Sequence, residues 1–258
     1  MSRSSLAGRG IIITRPARQA PALAALIEAR GARAILFPVI DILDVEDRSA
    51  LDAVIDRLDA FDLAVFISPN AASKGWEAIR ARRILPRGLK LAALGRGTAR
   101  ELRRLGAGAV IAPQDGGDSE NLLALPELNA VTGKRIVIFR GVGGRELLRE
   151  TLAARGAAVE YAECYRRIRP VAGTAPLIRA WDAGEVDGVV VTSSEGLRNF
   201  HEILDAAGRA HLARTPLFVP HPRIAASARA LHLPEAIVTG SGDEAIAAKL
   251  SEHFAAAS

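Results

Sequence analysis

Short apolar runs alternate along the chain with longer stretches that carry apolar residues at helical spacing. The runs rich in β-branched and other apolar residues predict strands at residues 11–14, 61–67, 89–94 and 186–192. Residues 20–30 and 98–105 have the pattern of helices, and each is followed by a glycine suited to ending a helix, Gly31 or Gly106. This repeated strand–helix order predicts an α/β fold of parallel sheets with helices on both faces.

Two segments interrupt the alternation. Residues 35–43 (ILFPVIDIL) and 161–170 (YAECYRRIRP) are extended in pattern, and neither is followed at once by a helical stretch. Each stands between one strand–helix unit and the rest of its half of the chain. We therefore predict that they connect two domains.

The two halves of the chain match at a constant separation of 125 residues. The run GIIITR, which ends at Arg15, corresponds to RIVIFR, which ends at Arg140. Further matches are Ala29-Arg30-Gly31-Ala32 with Ala154-Arg155-Gly156-Ala157, Asp62 with Asp187, Val65 with Val190, Ser68 with Ser193, and Gly117-Asp118 with Gly242-Asp243. A constant lag without gaps indicates an internal duplication. Asp118 and Asp243 are predicted N-caps of the helices that follow them.

The composition is that of a globular protein. The chain has 258 residues, 49% of them hydrophobic and 24% charged, which suits one large domain or two ordinary ones. No apolar run approaches the roughly 20 residues of a membrane helix, and residues 1–10 lack the apolar core of a signal peptide. Because Cys164 is the only cysteine, no internal disulfide forms. These features favour a cytoplasmic protein.

The net charge of +5 comes from an arginine-rich basic set, since lysine occurs only at Lys74, Lys90, Lys134 and Lys249 among 34 basic residues. Arginine suits bidentate recognition of carboxylates and phosphates. A GC-rich genome produces the same excess, so the position of each arginine must decide between the two explanations.

Six loops lie at or just beyond the ends of short apolar runs and are rich in hydroxyls, glycines or arginines. They are Thr14-Arg15-Pro16, Ser68-Pro69-Asn70, Gly95-Arg96-Gly97-Thr98, residues 140–145, Thr192-Ser193-Ser194 and Pro220-His221-Pro222-Arg223. Ligands of open α/β sheets bind beyond the carboxyl ends of the strands, and helix N-termini attract anions. Each loop alone is also an ordinary turn and N-cap. Six of them together predict a site for a ligand with several anionic groups.

Other chemistries are poorly supported. The glycines at Gly95 and Gly141 do not complete a dinucleotide or P-loop motif. The five histidines show no zinc spacing with Cys164, and neither Ser68 nor Ser193 lies in a nucleophile elbow. Aromatic residues are only 4%, too few for a nucleic-acid surface built on stacking. We therefore expect no metal and no cofactor, and catalysis by positioning and charge.

The ordered motifs resemble the uroporphyrinogen-III synthase family from about residue 9 to residue 250. The motifs are ITRP at 13–16, FISPNA at 66–71, LGRGTA at 94–99, PQDGGDSENLL at 113–123, FRG at 139–141 with GRE at 144–146, CYRR at 164–167, VTSS at 191–194 and PHPRIA at 220–225. Each is weakly specific alone. Eight in the family order, at similar spacing, are fairly specific.

The resemblance implies two flavodoxin-like parallel-sheet domains joined by a two-stranded linker, with the active site between them. One domain would hold residues 1–37 with 171–258, and the other residues 44–163. The linker strands would then be residues 38–43 and 164–170, which agrees with the two extended segments.

The resemblance also implies a reaction. The substrate would be hydroxymethylbilane, a linear tetrapyrrole with eight carboxylates. Loss of water from its ring-A hydroxymethyl group gives an azafulvene cation, which attacks the substituted carbon of ring D and forms a spiro intermediate. That intermediate collapses to uroporphyrinogen III with ring D inverted. The enzyme's main contribution would be to hold one folded conformer of the substrate.

Residue roles follow from the matching motifs. Tyr165 is the candidate catalytic residue, a general acid for the departing hydroxyl; as an alternative, it is a structural tyrosine of the connector. The substrate-binding candidates are Arg15, Ser68, Asn70, Thr98, Arg140, Gly143, Gly144, Arg145, Ser193, Ser194, His221 and Arg223. Arg15 also suits a structural role. The Pro220–Ile224 stretch departs from the Gly-x-Thr-Thr-Ala type of some members, so His221 or Arg223 would replace a missing hydroxyl.

The alternative function is a non-catalytic two-domain protein that closes on a small polyanion. A signal peptide or a fused output domain would favour it, and we expect neither from the residues of this chain. A chain that had lost a partner domain would look the same. The expected partners are the small-molecule substrate and, transiently, the deaminase that acts upstream. We expect no nucleic acid, no membrane and a monomer.

Overall fold

The computed structural model describes residues 6–114, 116–171 and 173–256. Asp115, within the 113–123 motif, lies outside the described residues. The chain divides into two compact units: residues 1–41 with 168–258, and residues 42–167. The chain therefore leaves the first unit early and returns to it late.

The strands are, in chain order, β1 (Gly10–Ile13), β2 (Arg33–Leu36), β3 (Asp41–Leu43), β4 (Leu63–Phe66), β5 (Lys90–Ala93), β6 (Arg135–Gly141), β7 (Ala158–Ile168), β8 (Gly188–Val190), β9 (Leu217–Val219) and β10 (Ile237–Val238).

The helices are α1 (Ala20–Glu28), α2 (Ser49–Asp56), α3 (Pro69–Arg82), α4 (Arg96–Arg104), α5 (Ser119–Leu123), α6 (Pro126–Asn129), α7 (Leu147–Ala154), α8 (Ala175–Asp182), α9 (Ser194–Ile203), α10 (Ala206–Leu212), α11 (Pro222–Ala230) and α12 (Asp243–Ala256). Short 3₁₀ turns occupy Ala17–Gln19 and Leu58–Ala60. No described helix is long and apolar enough to cross a membrane.

The first unit has a five-stranded sheet in the order β10-β9-β8-β1-β2, in which all neighbouring strands pair in parallel. Numbered within this unit alone, the order is 2-1-3-4-5, one of the common doubly wound arrangements. Ile11 and Ile13 point to one side of β1, where they pack with residues of α1 and α12 such as Leu23 and Leu250. Because β1, β8 and β9 are neighbours and run parallel, the loops that follow them lie at the same edge of the sheet.

The second unit has a five-stranded sheet in the order β3-β7-β6-β4-β5, with parallel pairing of β7, β6, β4 and β5. Residues 41–43 and 164–168, which the sequence assigned to linker strands, lie in β3 and β7 of this sheet.

Helices cover both faces of the second sheet, because alternate strand residues enter two different cores. Phe66 and Phe139 stack at 4.6 Å between ring centroids on the side of α2, α3 and α4. Val65 and Ile138 face the opposite side, where they pack with residues of α5, α6 and α7. Burial of each such side chain stabilises the fold by about 1.5–3 kcal/mol. The α/β class predicted from the sequence is confirmed.

In both units an aspartate accepts hydrogen bonds from the first backbone N–H of a neighbouring strand and from the basic side chain just before that strand. In the second, the Asp62 carboxylate accepts from the Arg135 backbone N–H at 2.8 Å and from Lys134 Nζ at 3.1 Å. In the first, Asp187 accepts from the Gly10 N–H at 2.8 Å and from Arg9 Nη1 at 2.7 Å. Each aspartate thus fixes the start of the strand beside it.

Several predicted ends and caps are confirmed. Gly31 and Gly106 lie just beyond α1 and α4 with positive φ angles of 87° and 101°. The Asp118 side chain accepts from the Asn121 N–H at 2.8 Å and caps α5. Asp243 differs from its prediction, because it is the first residue of α12 and its carboxylate pairs with an arginine instead.

Candidate active site

Tyr165 lies in β7 and is 2% exposed. Its hydroxyl is 3.1 Å from Ser68 Oγ, and either oxygen can be the donor. The ring lies so close to Gly141 that a Cβ at that position would be 2.7 Å from it. Gly141 therefore makes room for the tyrosine at the end of β6. The arrangement joins Tyr165 directly to the start of α3.

Ser68 is the N-cap of α3, and its Oγ accepts from the Ala71 N–H at 3.0 Å. It is half-buried, whereas the tyrosine ring is buried. The Ser68 hydroxyl therefore connects Tyr165 to the accessible end of the helix. Asn70 lies in the first turn of the same helix, and Thr98, buried, lies in the first turn of α4 after β5.

Arg140 lies near the end of β6 and is buried under the loop that follows. It is 2% exposed, and its guanidinium donates to the carbonyls of Gly141 and Gly143 and, at 3.0 Å, to Glu146 Oε1. The guanidinium also lies 4.3 Å from the ring centroid of Tyr161. Its donors thus bond to Glu146 and to the loop that follows β6, and direct contact with a substrate carboxylate stays a prediction.

Glu146 and Tyr161 complete this cluster, and sequence reasoning assigned neither of them a role. Tyr161 Oη donates to Glu146 Oε2 at 2.7 Å. This hydrogen bond and the one from Arg140 hold the pKa of Glu146 below its usual range. Burial, and then the bond to Glu146, raise the pKa of Tyr161 to about 12. The only signal in the sequence was the Gly144-Arg145-Glu146 motif, whose glutamate matched the family without an assigned purpose.

The loop between Arg140 and Glu146 is shaped by two glycines in the left-handed region. Gly143 has φ of 70° and Gly144 has φ of 114°, and a Cβ on Gly144 would lie 2.8 Å from Arg140 Nη2. The Gly143 N–H donates to Glu163 Oε1 at 3.2 Å. Arg145 is exposed and pairs with Glu120 at 2.8 Å. The second unit thus brings Ser68, Tyr165 and this loop to the carboxyl edge of its sheet.

The first unit presents a similar edge. Arg15 follows β1, and its Nη1 pairs with Asp243 Oδ1 at 2.5 Å with the arginine side chain 14% exposed. Ser193 caps α9 by accepting from the Gly196 N–H at 2.9 Å, as its counterpart Ser68 caps α3. Ser194 accepts from Ser227 Oγ at 2.8 Å. Arg15 therefore has a structural partner, which agrees with the second role proposed for it.

His221 lies at the start of α11, in the loop whose sequence differs from the Gly-x-Thr-Thr-Ala type. Its Nδ1 accepts from the Arg223 N–H at 3.1 Å and caps α11. His221 and Arg223 are both exposed. Because Nδ1 is an acceptor, the neutral ring carries its proton on Nε2, which leaves that N–H as a donor.

The profile of the family described as "Uroporphyrinogen-III synthase HemD" matches residues 21–243. The chain belongs to the uroporphyrinogen-III synthase family. The matched span holds all the candidate site residues except Arg15.

Relatives in this family are similar over most of the chain. Uroporphyrinogen-III synthase of Escherichia coli strain K12 is 35% identical over 235 residues, which cover 90% of this chain and 96% of the relative. The Salmonella typhimurium protein of the same name is 36% identical over the same shares.

Solved structures of the family share the fold. A mutant uroporphyrinogen III synthase from the extremely thermophilic bacterium Thermus thermophilus aligns with a TM-score of 0.62 at 21% identity, covering 97% of this chain and all of that one. The uroporphyrinogen-III synthetase of Helicobacter pylori aligns with a TM-score of 0.61 at 14% identity, covering 95% and 99%.

Proposed function

We propose that the protein converts hydroxymethylbilane to uroporphyrinogen III in tetrapyrrole biosynthesis, as a lyase that releases water and inverts ring D. The observation that carries this proposal is 35% identity to a relative named for that synthase, over 96% of the relative's length. The site geometry agrees with the chemistry, because hydroxyls and N–H groups gather at the carboxyl edge of each sheet.

Tyr165 is the proposed general acid. As the ring-A C–O bond breaks, the oxygen leaves with the bonding electrons and takes the phenolic proton, while the pyrrole nitrogen supplies electrons to form the azafulvene cation. A proton lost from the substrate after ring closure restores the phenol. The overall change is the loss of one water. The bond between Tyr165 and Ser68 supports this role, since it orients the hydroxyl toward the accessible helix start.

Substrate carboxylates are proposed to bind at the helix starts and exposed side chains of these edges. Ser68, Asn70, Thr98, Ser193 and Ser194 lie at the starts of three helices, α3, α4 and α9, where N–H groups and the helix dipole attract anions.

Exposed Arg145, His221 and Arg223 supply further donors. Arg15 and Arg140 are proposed to hold the loops of the site in place, since each already pairs with a carboxylate of the protein, Asp243 or Glu146.

Both units are proposed to be flavodoxin-like domains from an internal duplication, with boundaries near 1–37 with 171–258 and 44–163, and with linker strands at 38–43 and 164–170. The paired features support this: the aspartate anchors Asp62 and Asp187 and the serine caps Ser68 and Ser193 recur 125 residues apart. The strand order 2-1-3-4-5 of the first sheet also supports it.

We further propose a cytoplasmic monomer that needs no cofactor and contacts the upstream deaminase transiently.

The test is an isomer assay. Purified protein in chelator is given freshly generated hydroxymethylbilane, the products are oxidised, and the type I and type III isomers are separated by chromatography. We expect mainly type III, whereas spontaneous closure gives type I. A product mixture equal to that of the enzyme-free control would reject the proposed function and favour a non-catalytic binding protein.

A further inference from the structure

Arg140 is a buried cation whose partners all belong to its own neighbourhood. Taking a guanidinium out of water is costly unless it is paired and its N–H groups are satisfied. Glu146 supplies the opposite charge at 3.0 Å, and the Tyr161 ring covers the guanidinium at 4.3 Å. The Tyr161 hydroxyl in turn donates to the second oxygen of Glu146. Arg140, Glu146 and Tyr161 thus form one closed cluster, called here the clamp.

The clamp fixes the direction of two peptide groups. Arg140 Nε donates to the Gly141 carbonyl at 3.3 Å, and Nη2 donates to the Gly143 carbonyl. In a planar trans peptide, the carbonyl and the following N–H point in opposite directions, and no described peptide bond is cis. The N–H groups of Val142 and Gly144 are therefore turned away from the guanidinium.

These two N–H groups differ in their hydrogen bonding. The Val142 N–H donates to the Tyr165 carbonyl at 2.8 Å, which ties the loop to the backbone of the proposed acid. The Gly144 N–H donates to no acceptor among the described residues, and Gly144 is exposed. Only a residue without Cβ fits there, since φ is 114° and Arg140 Nη2 would be 2.8 Å from the added carbon.

We propose that the clamp is a positioning device, in which Arg140, held by Glu146 and Tyr161, turns the Gly144 N–H outward to bind a substrate carboxylate. The inference rests on the proposed function and deepens it. Arg140 acts through the loop and does not touch the substrate. Glu146 and Tyr161 become positioning residues because they hold the charge and the orientation of the guanidinium.

Two variants of Glu146 test whether the clamp depends on its hydrogen bonds or on the negative charge of the carboxylate. In Glu146→Gln, the amide oxygen accepts from Arg140 and the amide N–H donates to a Tyr161 hydroxyl that has turned, so the hydrogen bonds persist without the charge. Glu146→Ala removes both bonds. The matched control is Glu252→Gln, which removes an exposed carboxylate that pairs with Lys249 on α12.

We expect Glu146→Ala to raise KM about tenfold, equivalent to about 1.4 kcal/mol, with kcat within about threefold of wild type. Glu146→Gln should return KM to within about threefold, and Glu252→Gln should leave both constants unchanged. Amide hydrogen exchange in residues 141–146 should quicken in Glu146→Ala and stay near wild type in the other two. If Glu146→Ala does not fold, Tyr161→Phe takes its place. Because it loses one hydrogen bond, its KM should rise about threefold, and exchange should quicken in the same segment.

Several results would overturn the clamp. A folded Glu146→Ala with wild-type KM would do so, as would a loss confined to kcat. If Tyr161→Phe has to be used, wild-type KM and exchange in that variant would also do so. Failure of the proposed function is distinguishable, because then the wild type itself makes no type III isomer, whereas the exchange experiment reports on the loop without any turnover.

Discussion

Replacing Tyr165 by phenylalanine removes one hydroxyl and keeps the ring against Gly141. The lost interaction is one neutral hydrogen bond, to Ser68 at 3.1 Å, which contributes about 0.5–1.5 kcal/mol to stability. Ser68 keeps its bond from the Ala71 N–H, so α3 keeps its cap. The melting temperature should fall by only a few degrees.

The effect on turnover should be much larger than the effect on stability. A general acid contributes about 10²–10⁴-fold, and water can replace part of this, so we expect kcat of Tyr165→Phe to fall at least tenfold. Ser68→Ala provides the comparison, because it breaks the same hydrogen bond and also removes the N-cap, which is worth about 0.5–2 kcal/mol. It should destabilise the protein more than Tyr165→Phe, yet cost less than about tenfold in kcat/KM.

The two variants should therefore rank in opposite orders for stability and for activity. The assay is the rate of type III formation at saturating and limiting hydroxymethylbilane, beside thermal unfolding of the same preparations. Equal kinetic losses would mean that the tyrosine hydroxyl serves to hold Ser68 and has no proton-transfer role of its own. A fully active Tyr165→Phe would refute the catalytic assignment outright.

Three further predictions concern charge and ionisation. If exposed Arg145 and Arg223 attract substrate carboxylates, KM should rise between 0.1 and 1 M salt, where the Debye length falls from about 10 to about 3 Å; a flat KM would mean that the arginine excess reflects genome composition. Hydrogen bonds from the Arg135 N–H and Lys134 lower the pKa of Asp62. The stability advantage of wild type over Asp62→Asn should therefore be full above the ordinary value of 3.8 and vanish as pH falls through the lowered pKa. Unfolding midpoints of both proteins between about pH 2 and 6 measure this advantage, and a difference that stays constant with pH contradicts the prediction. In Tyr165→Phe, Tyr161 is the only tyrosine left. Ultraviolet titration should show its phenol ionising at about pH 12, because burial and then the bond to Glu146 raise its pKa. Ionisation near 10 would contradict both the burial of the Tyr161 hydroxyl and its bond to Glu146.

The sequence predicted the secondary structure well where local signals were strong. Ser68 and Ser193 were expected at helix starts, and both cap their helices with the side-chain oxygen. It was weaker where tertiary pairing decides the outcome. The two extended segments contain β3 and most of β7, but β7 begins at Ala158, before its segment. Only the sheet as a whole shows that β7 lies between β3 and β6.

The sequence predicted where the loops of the candidate site lie, and was less informative about the partners of their side chains. Arg140 was a candidate because arginine suits carboxylates, and it does bind one, Glu146, which lies only six residues away. A sequence cannot show whether an arginine turns out toward a ligand or inward under its own loop. That choice depends on the left-handed turn at Gly143 and Gly144 and on a tyrosine from the neighbouring strand.

The two arginines that end the repeated runs bear on how the proposed site would bind a polyanion without a free cation at every contact. Arg15 pairs with Asp243 and Arg140 with Glu146, so each is neutralised before any ligand arrives. Arg15 lies just beyond β1 and is joined to the start of α12, whereas Arg140 lies near the end of β6 and donates to two carbonyls of the loop that follows. If carboxylates then bind mainly to backbone N–H groups, the chain needs rigid turns more than it needs exposed charge. Glycine at Gly141 and Gly144, where a Cβ would strike Tyr165 or Arg140, is then as important to binding as any charged side chain.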